Sequence, residues 1–163
     1  MRKLAYLVMA VLALAAVPIE MVDATGELPS GYRDWKLVTV AHEAGNNNDL
    51  RAVLGNDVAI KAFREKKLPY PDGTIIVRLA WRYVPSPEND KIFGRAQSFV
   101  AGSPINVQFE RKDSRKYAST GGWSFVQLKD GKLADAAVQR TCFPCHQLAG
   151  TKDFVFTHYS PSP

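Results

Sequence analysis

Methionine and cysteine are scarce in this 163-residue sequence, and both are unevenly placed. The three methionines, Met1, Met9 and Met21, all lie near the N-terminus, and the only two cysteines are Cys142 and Cys145. A structural zinc site usually takes four ligands from two separated pairs, so the lack of a second cysteine pair argues against one. No internal repeat or low-complexity tract is present, which excludes a repeat architecture.

The sequence also lacks an apolar run long enough to span a membrane. The run from Leu4 to Val17 follows two cations and is shorter than the roughly 20 residues that a membrane-spanning helix requires. Small residues ending at Ala24 then provide a cleavage site. We therefore predict that residues 1–24 are a secretory signal peptide, with an uncleaved anchor as the alternative. Residues 25–163 would form one periplasmic domain that is not bound to a membrane after cleavage.

Long runs of one charge are absent as well. The formal net charge is +5, and the basic residues are scattered, with short clusters only at 61–67 and 111–116. Such clusters are typical of a solvated surface rather than of a nucleic-acid-binding arm. We expect no nucleic-acid partner.

Stretches of β-branched and aromatic residues alternate with turn residues along the chain. The predicted strands are 35–40, 74–84, 95–101, 105–111 and 123–128, with 154–159 as a last strand or extended arm. Residues 45–50 are predicted as a turn, and an Asp-Gly turn at 130–131 ends the strand that begins at 123. The predicted helices are 57–67, which Asn56 caps, and 133–146, with a helical turn near 112–119 and a proline-rich loop at 84–90. This pattern predicts an α+β fold, mainly an antiparallel sheet with two or three short helices.

The alternation within residues 74–83 assigns side chains to the two faces of one strand. Ile75, Val77 and Leu79 share a face that we expect in the core, whereas Arg78 and Arg82 point to the other.

The segment TCFPCH places Cys142, Cys145 and His146 within one helical turn. Cys-x-x-Cys-His is the attachment signature of a c-type haem. Two thiols at this spacing reach the two vinyl groups of one porphyrin, and the adjacent imidazole then binds the iron. We predict one covalently bound haem c per chain, attached near the C-terminus, with His146 as the metal ligand. The alternatives are a redox-active dithiol, a structural disulfide and a zinc site, and none of them explains His146 as well.

The scarcity of methionine limits which residue can occupy the sixth coordination position of the iron. Once the leader is removed no methionine remains, so the His/Met ligation of electron carriers is excluded. His42 and His158 are the remaining strong ligands. An open position is the leading interpretation, and an open haem iron binds or converts small molecules. Candidate distal residues are Arg78, Arg82, Phe99 and Phe109, although either arginine could instead pair with a haem propionate or face solvent.

The chain resembles the cytochrome P-460 family, which includes the cytochromes c′ of the β-sheet type. The resemblance runs from about Gly31 to Tyr159. It rests on GYRDWKLV, DGTIIVRL, KDSRKYA, the GGW before a strand, CFPCH and the closing DFVFTHY, in that order. The family implies a mainly antiparallel fold, a homodimer and a five-coordinate haem whose ligand would be His146.

The resemblance also implies roles for distal residues. Catalytic members oxidise hydroxylamine and carry a lysine cross-linked to the porphyrin, and that position falls at Arg78 here. A guanidinium does not replace a nucleophilic amine. The family's distal carboxylate falls at Gln108, with Glu110 on the same side of the strand as a substitute. An arginine of the family pocket matches Arg51.

We therefore predict a periplasmic mono-haem cytochrome with a five-coordinate iron that binds or converts small nitrogen species such as nitric oxide or hydroxylamine. One alternative is a hydroxylamine-oxidising enzyme with a haem cross-link. The other is a six-coordinate electron-transfer cytochrome. The expected partners are a small-molecule ligand or substrate, a periplasmic electron-transfer protein and a second copy of the chain.

Overall fold

A computed structural model describes residues 27–160 of the chain. They form one six-stranded sheet in which every strand pairs antiparallel with the next along the chain. The strands are β1 (Lys36–Glu43), β2 (Asp49–Gly55), β3 (Ile75–Pro85), β4 (Phe99–Lys112), β5 (Trp123–Lys129) and β6 (Lys132–Leu133). The predicted signal peptide, residues 1–24, lies outside the described residues.

The helices are short. They are α1 (Asp57–Glu65), α2 (Pro87–Phe93), α3 (Ala136–Arg140) and α4 (Cys142–His146), with 3₁₀ turns at Tyr32–Asp34, Ala118–Thr120 and Gln147–Lys152. Helices α3 and α4 meet at Thr141, which keeps helical dihedral angles, so they form one broken helical unit. The predicted α+β class with a mainly antiparallel sheet is confirmed. Within the described residues no helix has the length and apolar character needed to cross a bilayer.

Several local predictions are confirmed by specific contacts. Asn56 caps α1, because its side-chain oxygen accepts a hydrogen bond from the Ala59 N–H at 2.9 Å. Strand β3 covers the predicted segment almost residue for residue. The Asp130-Gly131 turn connects β5 and β6 with both residues at positive φ, as a two-residue hairpin turn requires.

The structure differs from the predicted elements in three places. The proline-rich loop contains α2, which starts with a proline in its first turn, where the missing N–H costs nothing, and ends at Gly94 in the left-handed conformation. The separate strands 95–101 and 105–111 are one strand, β4, because Gly102-Ser103-Pro104 is taken up as a bulge against β3. Strand β2 was missed because its sequence follows directly on an asparagine-rich turn.

The C-terminal segment after the last 3₁₀ turn adds no strand to the sheet. It runs extended across one face, where the Ser160 N–H donates to the Val38 carbonyl oxygen at 2.9 Å. The extended arm that the sequence offered as one of two possibilities is therefore the form that the chain adopts.

Both faces of the sheet are covered. One face packs against α1 and the C-terminal arm through a cluster that includes Phe63, Ile76 and Trp123. The other face has its own cluster, which includes Val77 and Phe109, under the segment that precedes β1. The first face also carries polar side chains on β2, β3 and β4 where α1 does not reach, and the functional site lies there.

Candidate haem-binding site

A cavity of about 620 Å³ lies between the polar part of the first sheet face and helix α4. Its volume is within the range of about 300–1,000 Å³ that is typical of ligand and cofactor sites. Side chains of β2 to β5 form one wall, and the cysteine motif forms the wall opposite. The lining includes nine of the residues singled out from the sequence: Arg51, Arg78, Arg82, Gln108, Phe109, Glu110, Cys142, Cys145 and His146.

The helical unit that carries the cysteine motif is fixed at its start by a capping residue. The Asp135 side chain accepts from the Val138 N–H at 2.9 Å, which sets the first turn of α3. One turn later α4 brings both cysteines to the cavity as free thiols. Burial, followed by the nearby charges, raises the pKa of Cys142 to about 11.

The His146 ring is held by its Nδ1 atom. Nδ1 lies 2.7 Å from the backbone carbonyl oxygen of Phe154, and a carbonyl only accepts, so Nδ1 carries the proton. In a neutral imidazole the Nε2 atom then keeps its lone pair. The rings of Phe125 and Phe156 pack against it, with centroids 4.5 and 5.1 Å from that of the imidazole. This arrangement suits a metal ligand, because metal-binding histidines donate their other N–H to a fixed acceptor.

Glu110 on β4 lies beside His146 in the cavity lining. One of its carboxylate oxygens lies 3.6 Å from His146 Nε2, and the other is buried without a hydrogen-bond partner. Burial raises the pKa of this carboxyl to about 7, and the nearby His146 opposes that rise. Glu110 therefore brings a carboxyl group into the cavity.

The far wall of the cavity is a polar network centred on buried Asp49. Its carboxylate accepts from Arg51, with Nε to Oδ1 at 2.8 Å, and from Arg78. Arg78 also donates to the Gln108 side-chain oxygen at 2.8 Å, and Gln108 donates to Gln127 at 2.6 Å. Antiparallel register explains the contact, since Arg78 lies directly opposite Gln108. Arg78 is thus fixed by partners on both sides.

Sequence reasoning placed Arg51, Arg78 and Gln108 in one pocket, and the structure brings them together. It does not identify Asp49, which lies in the segment 45–50 predicted as a turn and is the first residue of β2. It ranked Glu110 below Gln108, although both point into the cavity. The available signal was strand parity, because residues two apart in a strand share a face.

The two phenylalanines and the two other histidines are not part of the polar wall. Phe99 packs on Tyr83 with ring centroids 4.4 Å apart, outside the cavity lining. Phe109 is in the lining, but its buried side chain belongs to the cluster on the opposite sheet face. His42 stacks on Tyr83 and His158 lies on the C-terminal arm, so of the three histidines only His146 lines the cavity.

Lysines are also absent from the cavity wall in the part of the chain that the structure describes. Lys66 and Lys67 line a separate groove beside the C-terminal arm. Lys61 is exposed beside Glu65, and Lys91 lies on α2. Arg78 therefore has no lysine substitute at this wall.

The donor set of the cavity fits a haem. Two free thiols and the imidazole of His146 line one wall. The raised pKa of Cys142 is opposite to that of a redox-active thiol, which needs a lowered pKa to react. In residues 27–160 no group of three or more histidine, cysteine or acidic side chains is arranged to hold a metal ion by itself, so the zinc alternative gains no support.

An antiparallel sheet facing a Cys-x-x-Cys-His helix across a cavity of this size defines a haem-binding cytochrome. The chain belongs to the cytochrome P460 family, whose model matches residues 29–157. A search of curated proteins finds no match. Membership in this family implies a haem cofactor.

Proposed function

We propose that this cytochrome carries one haem c joined through thioether bonds to Cys142 and Cys145, with His146 as its single protein ligand. Each bond would form by addition of a thiol S–H across a vinyl C=C, which needs no further reactant. The bound haem supplies an iron at which a small molecule coordinates or exchanges electrons. The support is the position of both thiols and of His146 Nε2 on one wall of the cavity.

We further propose that the protein binds a small nitrogen species such as nitric oxide rather than oxidising hydroxylamine. The support for this choice is Arg78, which the sequence resemblance matches to the family's cross-linking lysine and which is held by Asp49 and Gln108. Among residues 27–160 no lysine lines the cavity to replace it. A distal wall of fixed hydrogen-bond donors suits binding of a polar ligand.

The test compares binding with turnover in the purified protein. The optical spectrum of the reduced protein should change on addition of nitric oxide, with saturation at one ligand per chain. Hydroxylamine with an electron acceptor should give no sustained turnover. Turnover at a rate proportional to protein concentration would overturn the choice of ligand binding.

One observation favours the enzyme as a second candidate. Glu110 places a carboxyl with a raised pKa beside His146, and a proton acceptor is what hydroxylamine oxidation requires. If turnover is observed, Glu110→Gln should abolish it while nitric oxide binding persists. Retention of turnover in that variant would remove Glu110 from the reaction.

The six-coordinate electron-transfer alternative finds less support. His42 and His158 are both exposed and lie outside the cavity lining. Replacing each with alanine should leave the ferric spectrum unchanged, whereas His146→Ala should alter it and lower the yield of attached haem. A change from low to high spin in His42→Ala or His158→Ala would restore the alternative.

Export and assembly complete the proposal. The N-terminal sequence supports export to the periplasm with cleavage after Ala24. Attachment of haem through Cys-x-x-Cys-His agrees with that location, because such attachment takes place outside the cytoplasm. Family membership supports a homodimer, and a periplasmic protein that exchanges electrons with the haem is the expected redox partner.

A further inference from the structure

The acceptor that holds His146 lies in an unusual piece of backbone. Asp153 and Phe154 have φ angles of 52° and 66°, so two consecutive residues with side chains adopt the left-handed conformation. Each such residue is less stable than one in the right-handed conformation. Conformations of this kind persist only where the surrounding structure imposes them. The Phe154 carbonyl that faces His146 Nδ1 therefore needs support from elsewhere in the fold.

An ion pair at the end of β4 provides that support. Lys112 Nζ lies 2.7 and 2.9 Å from the two carboxylate oxygens of Asp153, and it also donates to the Gly121 carbonyl at 2.9 Å. Its three N–H donors are thereby all used. The Asp153 carboxylate accepts in addition from the Tyr70 N–H at 2.8 Å. With side chains only 5 % and 9 % exposed, Lys112 and Asp153 form a buried pair with defined geometry.

The Phe154 ring is fixed by two further contacts. It packs over Gly121, where an added Cβ would overlap the ring. It also lies 5.7 Å, centroid to centroid, from the ring of Phe143 in α4. The turn at Asp153 and Phe154 is thus held to the sheet by the ion pair with Lys112 and to α4 by the contact between the Phe154 and Phe143 rings.

We propose that Lys112 and Asp153 are positioning residues for the proximal histidine. They hold the Phe154 carbonyl against His146 Nδ1, which orients the ring and directs Nε2 into the cavity. A fixed acceptor at Nδ1 also makes the imidazole a more basic ligand. A more basic ligand stabilises the ferric iron, so the pair keeps the reduction potential low.

This inference rests on the proposed ligation of the haem by His146. It adds a role for β4, because this strand carries Glu110 on the cavity wall and, two residues further, Lys112. Lys112 and Asp153 together form the clamp behind His146. One strand thus places a carboxyl opposite the imidazole and fixes the backbone behind it.

The test measures the haem protein carrying Asp153→Asn or Lys112→Met. The reduction potential should shift upward in both variants, and the iron–histidine stretching frequency of the reduced protein should fall, because the Nδ1 hydrogen bond weakens. The matched controls are Asp57→Asn and Lys36→Met, which break an exposed ion pair of the same type. Both quantities should stay at the wild-type value in the controls.

A folded Asp153→Asn or Lys112→Met variant with full haem content and unchanged potential and stretching frequency would overturn the inference. If a single variant fails to fold, the double variant Lys112→Met/Asp153→Asn carries the test, because it leaves no buried charge unpaired. Failure of the proposed function gives a different result. If His146 does not bind the iron, the wild-type protein and the His146→Ala variant should have the same iron spectrum.

Discussion

At the scale of single residues, the two walls of the cavity differ in how their side chains are held. His146 and the two cysteines present one ring nitrogen and two unpaired thiols to the cavity. Arg78 on the other wall is engaged by Asp49 and Gln108. The wall with the cysteines and His146 therefore has groups that can bind a cofactor, whereas the side chains of the opposite wall are fixed by hydrogen bonds to one another.

The first prediction concerns the charge balance of the fixed wall. Arg78→Ala removes one of the two arginines that neutralise Asp49, a carboxylate only 2 % exposed. Leaving a buried acceptor partly unsatisfied should lower the free energy of unfolding by about 1–3 kcal/mol. Urea unfolding measures the change. Arg82→Ala, four residues along on the same face of β3 and exposed, is the control and should cost less than about 0.5 kcal/mol. Equal losses in the two variants would contradict the network.

Single residues also show how far the sequence predicts the site. The spacing of Cys142, Cys145 and His146 is sufficient because the chemistry lies within one helical turn. Asp49 and Glu110 were missed or ranked low because their roles depend on which strands are neighbours. Pairing of β2 with β3 and of β3 with β4 is a long-range property that no local pattern contains.

At the scale of elements, α1 shows local sequence and structure in agreement. The Asn56 side chain caps the helix through Ala59 N–H, accepts from Ile75 N–H at 3.2 Å, and donates to the Gly73 carbonyl at 2.8 Å. One side chain thus joins the helix start to the start of β3.

The second prediction follows from that junction. Asn56→Ala should lower the free energy of unfolding by about 1–2 kcal/mol, since a helix cap is lost. Asn56→Asp keeps the capping oxygen and loses only the donor to Gly73, so its cost should be smaller. Thermal or urea unfolding of the two variants measures the difference. A larger loss in Asn56→Asp than in Asn56→Ala would contradict the assigned contacts.

The third prediction tests the packing between the turn before β5 and the C-terminal arm. Gly121 has a φ of 68°, and a Cβ there would overlap the Phe154 ring. Gly121→Ala should cost about 2–4 kcal/mol, from backbone strain and overpacking together. Gly131→Ala is a matched control, with a φ of 72° and no atom within 4 Å of the added Cβ. It should cost only the strain of about 1–2 kcal/mol.

Chemical denaturation of both glycine variants distinguishes the two contributions. Equal losses would show that the Phe154 ring does not depend on the space at Gly121. The clamp behind His146 would then lose its packing support.

Elements were predicted well where their signals are local. The Asn56 cap, the Asp130-Gly131 turn and the β-branched run of β3 each combine residue types with direct conformational preferences. The bulge in β4 was read as a break, because glycine and proline weaken a strand unless a partner accommodates them. Here β3 does so through two register shifts.

At the scale of the whole molecule, both faces of the sheet are covered, but only one of them also lines the cavity. The cluster around Val77 and Phe109 contributes burial only, whereas the other face divides between the core under α1 and the cavity. An antiparallel sheet offers such a division, because alternate residues of each strand serve opposite faces.

The fourth prediction concerns assembly. Sedimentation equilibrium of the purified haem protein should give twice the mass of one chain at micromolar concentration, as expected from the family. The mass of a single chain across the whole concentration range would contradict the proposed homodimer.

The most direct test of the central claim is the intact mass of the purified mature protein, followed by peptide mapping of the haem-bearing fragment. The account predicts the mass of residues 25–163 plus one haem, with the porphyrin attached only to the peptide that contains Cys142 and Cys145. A second peptide fastened to the same porphyrin would contradict the ligand-binding proposal and favour a hydroxylamine-oxidising enzyme. A protein without covalent haem would contradict the site itself.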